Sequence, residues 1–147
     1  MYHYHLFEKL PHKRYLKGIV TLHEAIFGDG ENMLKKLAEL KQVVIQIVVL
    51  DEDVIAYKIG YPFDDQTFYS WVGGVNPKHR NKGLAQQLMN KQHIYLKKKG
   101  YKVVQTKTMN KWRSMLLLNI KNGFDIVSTS IDDNNRHKIL LQKFLKE

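Results

Sequence analysis

The sequence predicts an α/β chain whose elements follow the order β-α-α-β-β-β-α-β-α-β-β. Three observations carry that expectation. Phe68-Tyr69-Ser70-Trp71-Val72 alternates and is rich in aromatic and β-branched residues, then gives way to a basic, glycine-containing loop and a helical pattern. Val43 to Leu50 is an almost unbroken apolar, β-branched run, which suits a strand covered on both faces. No linker, internal repeat or low-complexity segment interrupts the 147 residues, so a single domain over 1–147 is expected.

Taken in order, Tyr2 to Phe7 alternates weakly as a first strand, closed by Pro11. Leu16, Ile19, Val20, His23 and Phe27 recur at helical spacing over Tyr15 to Phe27, stopped by Gly28-Asp29-Gly30. A second helix over Asn32 to Leu40 is expected to turn Leu34, Leu37 and Ala38 inward. After the buried strand, Asp51-Glu52-Asp53 makes a tight turn into Val54 to Tyr61, giving a hairpin. Pro62 to Gln66 is the next turn and leads into the strand ending near Val72.

Beyond the loop, Ala85, Leu88, Met89, Gln92, Tyr95 and Leu96 mark a helix that ends in Lys97-Lys98-Lys99-Gly100. Lysines in a last turn complement the helix dipole, and glycine suits a left-handed cap. Tyr101 to Thr108 alternates as a strand. Trp112, Met115, Leu116 and Ile120 mark a helix ending at Asn122-Gly123, and Phe124 to Ser130 reads as a strand. After the turn Asp132 to Asn135, propensity leaves His137 to Phe144 open between strand and helix.

Composition narrows the function classes. The chain has no cysteine, which excludes disulfides, thiolate metal sites and cysteine nucleophiles. No apolar run has the length of a membrane span, and the N-terminus lacks the regions of a secretory signal, so a cytoplasmic protein is expected. The net charge of +10 fits a polyanionic cofactor, nucleic acid, an anionic surface or plain solubility. Lysine is spread along the whole chain with no compact basic stripe, which disfavours nucleic acid. His3, His5 and His12 lack a recognisable ligand spacing, and no metal is expected.

The loop Val72-Gly-Gly-Val75-Asn-Pro-Lys-His-Arg80-Asn81-Lys82-Gly83-Leu84-Ala85 joins a strand to a helix start. Unpaired amides at a helix N-terminus point at an anion, so this is a physical recipe for holding a phosphate. It matches neither G-x-x-x-x-G-K-[ST] nor G-x-G-x-x-G, which argues against a P-loop triphosphatase and a dinucleotide fold. Arg80-x-x-Gly83-x-Ala85 after Val75-Asn-Pro resembles the acetyl-coenzyme A loop of the GCN5-related N-acetyltransferase (GNAT) superfamily. Gly123-Phe124 resembles the end of that family's Y-x-x-x-G-F segment, and Asn110 the asparagine that contacts the pantetheine arm.

The resemblance implies an acyl-CoA N-acyltransferase fold, a mixed and mostly antiparallel central sheet flanked by helices. It also implies direct transfer of an acetyl group from acetyl-CoA, as co-substrate, to an amine of a small molecule or peptide. The amides of Asn81, Lys82, Gly83, Leu84 and Ala85 are expected to hold the diphosphate, with Arg80 and Lys82 adding charge. Gly73-Gly74 is the expected place of a bulge or close approach, and the amide of Val75 the candidate for meeting the cofactor.

Proton handling departs from the family's pattern. Asn119 stands where the family often has its tyrosine acid, and an amide can hydrogen-bond a sulfur but cannot transfer a proton at a useful pKa. Replacement acids are Tyr57, Tyr61 or Tyr69, and Glu24 is the candidate base. The alternative reading is a non-catalytic CoA-binding or basic interaction module of the same fold, binding an acidic partner or nucleic acid. The loops Gly28-Asp29-Gly30-Glu31 and Asp132-Asp133-Asn134 suggest a cationic acceptor if they flank the acceptor entrance, and a homodimer stays open.

Overall fold

The computed structural model describes residues 1–146. Its strands form one mostly antiparallel seven-stranded sheet in the order β1-β2-β3-β4-β5-β7-β6, flanked by helices. They are β1 (His3–Phe7), β2 (Val44–Leu50), β3 (Asp53–Pro62), β4 (Thr67–Val75), β5 (Val103–Thr108), β6 (Asp125–Ile131) and β7 (His137–Phe144). The helices are α1 (Lys13–Phe27), α2 (Gly30–Glu39), α3 (Leu84–Lys98) and α4 (Arg113–Lys121). This is the element order expected from the sequence, and the chain divides into two compact units.

The first unit takes residues 1–61 and 72–92. Its centre is β2, buried from Val44 to Val49 because both neighbouring strands and both sheet faces are covered. β2 pairs antiparallel with β1, from His3 opposite Val49 to Phe7 opposite Ile45, and with β3, from Val44 opposite Gly60 to Leu50 opposite Asp53. The hairpin between β2 and β3 closes through Asp51 and Glu52, both at positive φ (49° and 73°), as a two-residue turn matched to strand twist requires. Val48, Ile55, Ala56, Leu84 and Leu88 form one buried cluster, onto which Tyr2, Tyr4, Leu50 and Val75 pack. That cluster seats the first turns of α3, and Gln46 fixes the helix further by donating from Nε2 to the carbonyl of Leu88 at 3.1 Å.

Two inward faces differ from expectation. In α2 the buried residues are Gly30, Met33 and Leu37, whereas Leu34 is exposed. The stripe keeps Leu37 but pairs it with Met33 four residues earlier, leaving Leu34 and Ala38 exposed. In α1, Ile19, Leu22 and His23 are buried, while Phe27 lies at the exposed end beside the left-handed Gly28 cap.

The second unit takes residues 62–71 and the chain from 93 on. β4 pairs parallel with β5 from Thr67 opposite Val103 to Ser70 opposite Thr106. The last element is a strand, because β7 is flanked on both sides. It pairs with β5 from Val103 opposite Phe144 to Thr108 opposite Ile139, and with β6 from Asp125 opposite Gln142 to Ile131 opposite His137. α3 and α4 both end in the two-bond glycine cap. Tyr101 N–H donates to Leu96 O and Gly100 N–H to Lys97 O, each at 3.0 Å. Phe124 N–H donates to Asn119 O at 3.0 Å and Gly123 N–H to Ile120 O at 3.1 Å. Gly100 and Gly123, at φ 91° and 95°, supply the left-handed residue that closes each helix.

Candidate active site

The loop between β4 and α3 is built by local chemistry. β4 runs through Gly73 and Gly74 to Val75, and Asn76 N–H then donates to Ile55 O at 2.8 Å, tying the strand end to β3. Asn76 Oδ1 accepts from Lys78 N–H at 2.9 Å, and Asn76 O accepts from His79 N–H at 2.8 Å, opening a single 3₁₀ turn over Pro77–His79. Proline suits that first position, where no amide partner is needed.

Arg80 then folds back, its Nε donating to Val75 O at 3.1 Å, which holds the guanidinium beside the strand end. Asn81 and Gly83 take left-handed conformations, φ 63° and 79°. The first helical bond of α3 runs from Gln87 N–H to Gly83 O at 3.0 Å. The amides of Leu84 and Ala85 therefore precede any i−4 carbonyl and face outward from the helix start. A Cβ on Gly83 would meet nothing within 4 Å, so the backbone there borders open space. Arg80, Asn81 and Lys82 are exposed, Ala85 is half-buried, and Leu84 is buried in the core cluster, anchoring the turn. Free amides, open space and two flanking cations fit a diphosphate.

The glycine pair on β4 is explained by close packing, with φ in the ordinary range. A Cβ on Gly73 would lie 3.1 Å from the carbonyl oxygen of Tyr57. One on Gly74 would lie 2.7 Å from Ile26 Cδ1 and 3.2 Å from Tyr57 Cε1. β3 and α1 thus press against β4 just before Val75.

The other sequence candidates are dispersed. Glu24 is exposed on α1, its carboxylate turned toward Gly28 and Gly30. Tyr61 is half-buried near the end of β3, with Lys36 Nζ 5.3 Å from its ring centroid. Tyr69 is half-buried on β4, opposite Gln105. Asn110 is exposed in the turn after β5, where Trp112 N–H donates to Met109 O at 3.0 Å. Asn119 is buried and its carbonyl anchors the cap that presents Phe124. Asp132 is committed to its own turn: Oδ1 accepts from Asn134 N–H and Arg136 N–H, and Oδ2 from Arg136 Nε, each at 2.9 Å. Those bonds, the Arg136 amide first, hold its carboxyl below the usual range.

A polar chain that the sequence did not single out lies in the first unit. Tyr57 Oη is 2.5 Å from His23 Nδ1, and His23 Nε2 is 2.5 Å from Asp29 Oδ1. His23 and Tyr57 are buried, while the Asp29 side chain is 51% exposed. Burial first, and the Asp29 carboxylate second, push the Tyr57 phenol well above its ordinary value. Tyr57 was among the candidate acids, and the signal for its partner was a histidine on the apolar face of α1.

A strand leading through a basic loop and a left-handed glycine into a helix, on a seven-stranded mixed sheet, is the arrangement of the acyl-CoA N-acyltransferase fold. The chain belongs to the acetyltransferase (GNAT) family, whose model matches residues 11–113, and it is an acetyltransferase by that membership. Among solved structures it is similar to Ard1 from Thermoplasma volcanium (TM-score 0.83, 11% identity, covering 98% of this chain and 99% of that one). It is also similar to a GNAT family acetyltransferase from Elizabethkingia anophelis with acetyl-CoA bound (TM-score 0.75, 20% identity, covering 98% of each chain). A third is the ribosomal-protein-S18-alanine N-acetyltransferase from Escherichia coli (TM-score 0.80, 12% identity, covering 99% and 96%). No curated protein sequence matches the chain. Among the described residues, no helix is long and apolar enough to cross a membrane.

Proposed function

We propose that this chain takes acetyl-CoA as acyl donor and acetylates an amine of a small molecule or peptide by direct transfer. The observation that carries the reading is the start of α3. Its free amides stand behind a left-handed Gly83 that borders open space, with Arg80 and Lys82 alongside.

In this reading the amides of Asn81 to Ala85 bind the diphosphate, and Gly83 admits it to the backbone. Arg80, fixed by its bond to Val75 O, places a lasting positive charge beside the strand end. Val75 offers its amide to the donor's arm. Bound acetyl-CoA supplies the activated thioester. Asn119 cannot exchange a proton at a useful pKa, so in this reading proton transfer falls to other groups.

The test is calorimetric titration with acetyl-CoA, followed by free-thiol release with spermidine, kanamycin and a peptide beginning with alanine. Saturable binding with thiol release on at least one amine is expected. Binding with no release on any amine would favour the non-catalytic module, for which the asparagine at 119 is the supporting feature. No binding at all would remove the reading.

A further inference from the structure

Asp29, His23 and Tyr57 form a continuous hydrogen-bonded chain from a half-exposed carboxylate to a buried phenol, and its geometry assigns the protons. An aspartate carboxylate only accepts, so His23 Nε2 carries the hydrogen it gives to Asp29 Oδ1. In the neutral ring Nδ1 is then an acceptor, so Tyr57 O–H donates to it. The phenol oxygen keeps its own acceptor capacity. That oxygen faces β4: a Cβ on Gly74 would sit 3.4 Å from it, and Gly74 has none. The next residue along is Val75, the amide assigned to the donor's arm. The remaining neighbours are Ile26 on the β4 side, the Phe27 ring with its centroid 4.9 Å from that of His23, and the exposed Glu24.

A core tyrosine satisfied by a histidine needs no third member, and any polar atom would have paired the phenol. Here a chargeable ring is backed by a carboxylate half open to water. That arrangement stabilises an imidazolium and offers its proton an exit.

We propose that Asp29, His23 and Tyr57 are the proton acceptor for the incoming amine, a role that rests on the acetyltransferase reading above. The ammonium N–H bond breaks and an O–H bond forms at Tyr57, directly or through one water. Together with this, Tyr57's original O–H bond breaks and an N–H bond forms at His23 Nδ1. The amine is left neutral with its lone pair free. The positive charge rests on His23 against Asp29; the Nε2 proton leaves to solvent by way of the exposed carboxylate, and proton exchange of the neutral imidazole with water then restores the Nε2–H tautomer. The phenol is never a free phenolate, in keeping with its raised pKa.

The test has two arms. In ¹⁵N NMR of the unliganded protein, His23 is expected as the Nε2–H tautomer, and Tyr57→Phe should shift Nδ1 while leaving Nε2 protonated. A His23 carrying its proton on Nδ1 overturns the relay whatever the activity. In thiol-release kinetics, with the amine found active above, Tyr57→Phe and His23→Gln should each lower kcat about 100-fold or more. Acetyl-CoA affinity by calorimetry should stay within threefold. Asp29→Asn should lower kcat about tenfold, with Asp29→Glu recovering most of it. A proton inventory curved in the unaltered chain should become linear in Tyr57→Phe. Variants that melt lower but keep kcat within threefold would make the chain a structural staple and sink the proposal, with the acetyltransferase reading untouched. An unaltered chain that binds acetyl-CoA but acetylates nothing would remove both together.

Discussion

The phenol of Tyr57 on β3 meets the imidazole of His23 on α1 at 2.5 Å, across 34 residues of sequence. The pair sits against Gly74, so α1, β3 and β4 are joined at one point just before the strand end that leads into the loop before α3. Three residues thus tie the packing of the first unit together at this point.

Gly74→Ala is expected to disturb that point. Its methyl would press on Ile26 Cδ1 at 2.7 Å, which can turn away, and on the buried Tyr57 ring at 3.2 Å, which cannot. Overpacking of this kind destabilises by about 1–3 kcal/mol. Urea denaturation measures it, and a variant as stable as the parent would mean the β3–β4 contact is looser than described.

Gly83→Glu is expected to abolish acetyl-CoA binding while the chain stays folded. No atom lies within 4 Å of the new Cβ, so the fold bears only the left-handed strain at φ 79°, about 1–2 kcal/mol. The carboxylate repels the diphosphate from the helix amides. Gly83→Ala carries the strain without the charge and should weaken binding far less. Calorimetric titration of both separates backbone from charge, and undiminished affinity in a folded Gly83→Glu protein would end the anion-site reading.

Asn119→Ala should reduce turnover by well under the 100-fold or greater loss that removal of a proton-transferring group brings, on the scale of acid–base catalysis. Its backbone cap bonds persist, since they use the carbonyl alone. A loss of several thousand-fold in kcat with unchanged cofactor affinity would show that the side chain does chemistry.

Lys58 gives the chain a pH signature. It faces the α3 side of β3 opposite Gln46, with Cγ 3.7 Å from the Cβ position of Gly73, and burial lowers its ammonium from 10.5 to about 8. Between those values the unfolded chain binds the proton and the native chain does not, so stability rises with pH from about 8 and levels off above about 10.5. Surface area leaves Lys58 half-buried, so the gain is on the order of 1–3 kcal/mol, short of full conversion of the shift. Lys58→Met should be more stable at pH 7 and should flatten the rise. Denaturation midpoints at pH 7, 8.5 and 10 measure both, and parallel curves for parent and variant would contradict the burial of that charge.

Local chemistry was legible in the sequence. Lys97 to Gly100 and Asn122-Gly123 announced their helix ends because a glycine cap closes on carbonyls only a few residues back. The loop before α3 was legible for the same reason: Arg80 to Ala85 is a contiguous strand-to-helix turn whose form follows from where the helix starts. β2 declared itself through its unbroken apolar run, and the family through Arg80, Gly83 and Ala85.

Only the tertiary structure decided the rest, because each remaining feature depends on partners distant in sequence. His137 to Phe144 became a strand because β5 and β6 pair with it on either side. The buried stripe of α2 settled on Met33 and Leu37, the face the packed helix turns inward. Asp29 read as a turn carboxylate, His23 as a core residue and Tyr57 as one tyrosine among several. Their hydrogen-bonded chain exists because α1 packs over β3 and Gly74 leaves room for a phenol. Periodicity reports which face of an element is buried but not what it is buried against.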